Sequence, residues 1–201
     1  MANNLFKNKS LIIIIIIIVV IVLYFISSYN TIVKKDEAVK EAWGNVETAY
    51  QRRFDLIPNL VNTVKAYASH ERETLQAVVD ARSKVGSIQM SPEMLEDPDS
   101  FQAFQNAQNS MSSALSRLLV VVENYPDLKA NQNFLDLQHQ LEGTENRINV
   151  ARVRYNETVK EFNQSIRFFP KSIINKMFFG FKLKESFKAQ EGAEKAPKVE
   201  F

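Results

Sequence analysis

Residues 39–68 read VKEAWGNVETAYQRRFDLIPNLVNTVKAYA, and the spacing of their apolar side chains decides the fold class. Val39, Trp43, Val46, Tyr50, Phe54, Ile57, Val61, Val64 and Ala68 follow one another at steps of 4, 3, 4, 4, 3, 4, 3 and 4. Steps of three and four return a side chain to the same face at each turn of an α-helix, so the stretch is one amphipathic stripe. Pro58 lies inside it. A proline here either kinks a continuing helix or, as the first residue of a new helix capped by Asp55, reverses the chain. The unbroken phase and the lack of a nearby glycine favour the kink. The stripe thins across Ser69-His70-Glu71-Arg72-Glu73, returns at Leu75, Val78 and Val79, and fades by Val85, with Gly86 a candidate C-cap.

Toward the C-terminus, residues 87–100 carry Pro92 and Pro98 and read as a polar connection, with Ser100 a candidate N-cap. Phe101, Phe104, Gln108, Met111, Leu115, Leu118, Val122 and Tyr125 then alternate steps of three and four, the narrow seam of coiled-coil-like pairing, until Pro126 ends the run. A further helix opens at Asp127 and holds Phe134, Leu137, Leu141, Ile148, Ala151, Tyr155, Val159, Phe162, Ile166 and Phe169 on one face. No strand-like alternation appears. The expected fold is all-α: an antiparallel bundle over residues 30–168, of three long helices if Pro58 only kinks, of four if it reverses the chain.

Toward the N-terminus, Leu11 to Ile26 is unbroken apolar, with seven consecutive isoleucines, and Ser27, Ser28 and Tyr29 extend it to 19 residues. At about 1.5 Å per residue that length crosses a hydrocarbon core, and it exceeds the apolar region of a cleaved signal peptide. Residues 11–29 are therefore expected to form a transmembrane helix behind a short flank, residues 1–10. β-Branched residues are weak helix formers in water, but in lipid the backbone must satisfy its own hydrogen bonds, which makes the run helical. Lys7 and Lys9 on one side balance Lys34, Lys35 and Lys40 on the other, so the positive-inside rule leaves the orientation undetermined.

Composition narrows the function classes. Lys and Arg number 25 against 23 Asp and Glu, a net charge of +2, too weak a field to steer nucleic acid. The absence of cysteine removes disulfides, thiolate nucleophiles and thiolate metal ligands. Five glycines cannot supply a phosphate-cradling loop or a nucleophile elbow. No catalytic residue and no cofactor is expected.

Several runs carry a resemblance. Glu41-Ala42-Trp43-Gly44-Asn45-Val46, Arg52-Arg53-Phe54-Asp55-Leu56-Ile57-Pro58-Asn59-Leu60-Val61, Tyr67-Ala68-Ser69-His70-Glu71, Tyr125-Pro126-Asp127-Leu128-Lys129-Ala130, Asn133-Phe134, Thr144-Glu145-Asn146, Ala151-Arg152, Tyr155-Asn156, Phe169-Pro170 and Gly180-Phe181 occur in this order. In them the chain resembles the bacterial LemA family. The resemblance implies a single-pass protein of the bacterial inner membrane with an antiparallel helical bundle, and it implies no settled activity.

Three sets of residues are candidate sites. Asn149, Asn156 and Asn163 recur every seven residues beside the apolar ladder, and Arg52, Arg53 and Asn59 face them in sequence from the first stripe. Such a polar stripe sets the register of long helices, for instance by pairing Arg52 or Arg53 with Glu145, or forms a homo-oligomer or partner interface. Residues 169–188, with Phe168 before them, mix Phe169, Phe178, Phe179 and Phe181 with Lys171 and Lys182, a composition that suits a membrane interface or else plugs the bundle end. His70 and His139 are the only histidines; Asp136 and Glu142 flank His139, and the zinc-protease spacing is absent at His70, where residue 74 is Thr. Residues 189–201 have the composition of a disordered tail. The expected function is a membrane-anchored scaffold or adaptor that self-associates and engages lipid and an unidentified protein partner. A metal-dependent hydrolase using His70, His139 and nearby carboxylates, and a membrane-remodelling protein acting through the Phe/Lys segment, are the alternatives.

Overall fold

The computed structural model describes residues 2–188, and side chains from residue 9; the expected disordered tail 189–201 lies outside the described residues, as do Met1 and the side chains of the N-terminal flank through residue 8. Among the described residues all regular structure is helical. Helix α1 spans Ala2–Tyr67, α2 Arg72–Gly86, α3 Pro98–Val122, α4 Pro126–Lys129, α5 Gln132–Arg167 and α6 Lys171–Ile174, with a 3₁₀ turn at Pro92–Glu96 and a π turn at Asn175–Phe179.

Helix α1 is 66 residues long, about 99 Å at 1.5 Å per residue, and Pro58 lies inside it without reversing the chain. The reversal comes at Ala68–Glu71, in the polar stretch where the apolar stripe thins. Four helical passes therefore follow from a continuous first helix, a combination that neither reading of Pro58 anticipated. Cross-contacts give the directions. Trp43 meets Phe104 and Arg53 meets Ser112, so α3 runs parallel to α1. Tyr67 pairs with Asn131, Arg53 with Glu145 and Lys35 with Glu161, so α5 runs back along α1 toward the apolar end.

Two caps differ from expectation. The α3 cap is Asp97, whose carboxylate accepts from the Ser100 N–H and hydroxyl, so Ser100 is inside the helix it was expected to start. Gly86 closes α2 as its last residue, with Ser87 in right-handed geometry at the cap. The connection 87–100 is also less polar than it reads, because Met94 and Leu95 turn inward.

The core divides into two apolar clusters. The one nearer the apolar end of α1 gathers Ile32, Val39, Trp43, Tyr50, Phe101, Phe104, Tyr155 and Phe162, and the distal one Ile57, Leu60, Val64, Leu75, Val78, Met111, Leu118 and Phe134. Between them lies a polar layer. On α1 the buried seam runs 39, 43, 46, 50, 53, 57, 60 and 64, with Ala49 buried beside it, so Arg53 and Leu60 occupy the seam, while the expected Phe54 and Val61 are only half-buried. The seam keeps an unbroken 4-3 alternation by accepting an arginine.

Candidate functional site

The polar layer centres on Arg53, whose side chain is 2% exposed. Its Nη1 donates to Glu145 Oε1 at 2.7 Å and Ser112 Oγ at 2.9 Å, its Nη2 donates to Gln108 Oε1, and its guanidinium carbon sits 5.1 Å from the centre of the Tyr50 ring. One side chain thus ties α1 to α3 and α5. Arg52, its neighbour, points outward instead. With Arg147 and Arg154 it lines an open groove of about 750 Å³ between α1 and α5, floored by Ala42, Ala49 and Ala151. Asn59 is exposed on α1.

After α5 the chain reaches the end of the apolar stretch of α1. Phe179 packs edge-on against Phe25 at 4.8 Å and Tyr29 at 5.0 Å, Phe178 against Phe25 at 5.3 Å, and Phe181 against Phe162 at 6.2 Å. Phe168, Phe169, Ile173, Met177 and Phe178 keep more than half of their surface exposed, Phe169 81% of it. The Phe/Lys segment therefore splits. Phe179 and Phe181 turn inward, half-buried, while Phe168, Phe169 and Phe178, with Lys182 nearby and half-buried Lys171, turn outward as a partial collar on the Phe25–Tyr29 face of the helix. Gly180, at φ +71°, makes the left-handed turn out of this collar; a side chain there would be strained.

Residues 181–188 then run without helical structure between α3 and α5, and amide side chains hold their backbone. Asn163 Nδ2 donates to the Lys184 carbonyl and its Oδ1 accepts from the Lys184 N–H, both at 2.9 Å. Asn156 does the same for Phe187, at 3.0 and 2.9 Å, and Asn175 for Phe181, both at 3.0 Å. Gln105 on α3 donates to the Lys188 carbonyl at 2.8 Å, the Tyr155 hydroxyl to the Glu185 carbonyl at 2.8 Å, and the Glu185 N–H to the Leu95 carbonyl at 2.8 Å. Burial pushes the Tyr155 phenol well above its ordinary value, which keeps it a donor. Asn149, one heptad beyond Asn156, is exposed.

Two side chains of the segment enter the bundle. Phe187 lies among Trp43, Phe101, Phe104 and Tyr155 with ring centres 5.1 to 6.4 Å away, and the Arg152 guanidinium covers it at 4.6 Å. Lys184 is 7% exposed, with Nζ 2.7 Å from Glu96 Oε1 and 3.1 Å from Asp36 Oδ1. Lys40 completes the group, 2.9 Å from Asp36 Oδ2. Neither the Lys184 pocket nor the aromatic cage is readable from local spacing, since their members are 36 to 187 in chain order and only the heptad of asparagines hints at the clasp.

Burial raises the Asp36 carboxyl, but hydrogen bonds and charge from Lys40 and Lys184 outweigh it and hold the group below its ordinary value. A depressed carboxyl contributes stability above its unfolded pKa, about 3.9, and loses it as pH falls through the folded value. Backbone amide protection at Lys184 and Phe187 is accordingly expected to be level above about pH 4 and to fall below it. The Asp36→Asn variant should lack that acid step; an unchanged acid profile in the variant would assign it to another group.

His70 and His139 are both exposed, with His139 Nδ1 3.9 Å from Glu142 Oε2, and among the described residues no three metal-capable His, Asp or Glu side chains converge. A helix long and apolar enough to cross a bilayer, continued into a bundle that its own C-terminal segment closes at the base, defines a membrane-associated helical-bundle protein. The chain belongs to the LemA family, whose model matches residues 42–201, from the bundle through the clasp. It is similar to magnetosome protein MamQ 2 of Paramagnetospirillum magneticum, 28% identical in an alignment that covers 83% of this chain and 66% of that protein. MamQ of Magnetospirillum gryphiswaldense is 27% identical across 79% of this chain and 64% of its own length. Protein LemA of Metamycoplasma hominis is 25% identical across 71% of this chain and 61% of its own. The chain thus spans just under two thirds of the length of these relatives.

Proposed function

We propose that the chain is a non-catalytic scaffold of the bacterial inner membrane, crossing it once through residues 11–29, self-associating, and fixed to the bilayer a second time by its collar. The observation that carries this reading is the exposed apolar surface of Phe168, Phe169, Ile173, Met177 and Phe178, packed through Phe178 and Phe179 onto Phe25 at the end of the apolar stretch. At that height the apolar side chains sink into the boundary between headgroups and acyl chains, as the apolar face of an interfacial segment does, and Lys171, Lys176 and Lys182 reach anionic headgroups. An aqueous location would leave a contiguous aromatic patch facing water, which soluble surfaces avoid. Two attachments fix the angle of the bundle, and a fixed angle is what a platform presenting a face to neighbours needs. The groove between α1 and α5 is the face we assign to a protein partner.

The lack of native cysteine makes the test direct. A nitroxide placed at Phe169→Cys or Phe178→Cys in the full-length chain in liposomes is expected to collide with oxygen more than with an aqueous nickel chelate, and His139→Cys to show the reverse. Equal nickel access at the collar and at residue 139 would remove the second attachment. Lysine-reactive crosslinking in native membranes is expected to join copies; a strictly monomeric pattern would remove self-association.

A further inference from the structure

Asn156 and Asn163 lie seven residues apart on α5, about 10.5 Å along the helix. Each holds the backbone of one residue of the segment, and those residues, Phe187 and Lys184, are three apart, which spans about 10 Å only when the chain is extended. A heptad of asparagines is therefore a ruler matched to every third residue of an extended peptide. Bonds made in donor–acceptor pairs to the main chain read backbone geometry and leave side chains free, as in other sites that bind extended peptides. Specificity comes from the two occupied pockets: acidic, formed by Asp36 and Glu96, and aromatic, formed by Trp43, Phe101, Phe104 and Tyr155. Together they accept a Lys-x-x-Phe pattern.

We propose that the groove between α3 and α5 that holds residues 181–188, distinct from the one between α1 and α5, is a peptide-binding site and that copies of the chain exchange their 181–188 segments through it. The inference rests on the self-association proposed above and gives it an interface. Three observations select a second copy as the occupant. Each copy carries the pattern that fits, Lys184-Glu185-Ser186-Phe187. The segment is joined to α5 by residues 168–180, thirteen residues that reach up to about 43 Å when extended, with left-handed Gly180 at the junction as a pivot. Finally, α1 runs unbroken from the apolar stretch to Asp36 and Trp43, so every copy in one membrane holds its groove at the same height. A segment leaving one bundle at the bilayer surface meets its neighbour's groove level with its own. Every bond between residues 184–188 and the bundle is identical in the two arrangements, so exchange keeps those contacts, and what must repack is the connection, with its Asn175–Phe181 bonds and the Phe178 and Phe179 contacts to Phe25 and Tyr29. Asn149, one heptad from Asn156 on α5, is exposed.

The test uses full-length chains in membranes. One copy carries Asn149→Cys and one tag, the other Lys188→Cys and a second tag, which leaves the paired asparagine bonds in place. A flexible bis-maleimide is expected to give a product at twice the chain mass bearing both tags, and Phe187→Ala in the Lys188→Cys copy should reduce it at least tenfold. Bridging confined to a chain carrying both substitutions, while lysine crosslinking still joins copies, would overturn exchange and leave self-association standing. Absence of both products would overturn both. Independently of any thiol, a synthetic peptide of residues 181–188 with a photoreactive phenylalanine analogue at position 187 is expected to label the unmodified chain near Trp43 or Tyr155, in competition with unlabelled peptide. No saturable labelling would show the groove closed to a second segment and end the proposal.

Discussion

A Glu145→Ala variant is expected to lose about 3 kcal/mol of stability in detergent-solubilised thermal or denaturant melts, although the glutamate side chain is 40% exposed. The cost lies with its partner. Arg53 is buried between two apolar clusters, and without Glu145 its charge keeps only the neutral oxygens of Ser112 and Gln108 and the face of Tyr50. Breaking a buried pair costs about 3–5 kcal/mol because an uncompensated charge remains, and solvent reaching the glutamate side of the layer places this case at the lower end. Replacing both partners, as Arg53→Met with Glu145→Ala, removes the stranded charge and is expected to recover most of the loss. If the double variant were as unstable as Glu145→Ala, the layer would be acting through packing and not through charge.

The Phe187→Ala variant should cost about 3–5 kcal/mol, in the range of large-to-small changes in a packed core. Phe187 is 6% exposed and touches four other aromatic residues, and its ring is the apolar one of the two side chains by which the segment enters the bundle. Trp43 is the sole tryptophan, which supplies a local readout. Its emission is expected to shift to the red as water enters the cage, and proteolysis within residues 181–188 to accelerate. The Phe178→Ala variant, on the outward face of the collar, should melt within about 0.5 kcal/mol of the parent in detergent. Unchanged Trp43 emission in Phe187→Ala would mean that the cage is closed without the segment.

Helix content and the core were legible because periodicity is local: the α3 ladder from Phe101 to Val122 and the α5 ladder from Phe134 to Ile166 point inward as their spacing requires, with Leu137 only half-buried. The chain reversal was harder to read. Residues 69–73 contain no glycine or proline, so the turn rests on polar side chains that tolerate an exposed backbone, a weaker signal than Pro58, which merely occupies a continuing helix. The pairing of Arg53 with Glu145 was one of two options the sequence offered, but the place of Arg53 in the seam was not legible, because hydrophobicity patterns skip a charge whose burial is offset by partners 55 to 92 residues away. The asparagine heptad was visible, yet Asn156 and Asn163 bond to a main chain and not to side chains of a facing helix. A main chain has no signature in sequence, so nothing near residue 160 points to residue 185.

The unbroken course of α1 also makes the molecule a lever. From Tyr29 to Tyr67 the helix advances 38 residues, about 57 Å beyond the end of its apolar stretch. An apolar span held at one point responds to a thinner or thicker hydrocarbon layer by tilting, and a tilt of about 10° would swing the far tip by about 10 Å. The collar proposed above would then act as a brace, holding the tip where a single anchor would let bilayer thickness displace it.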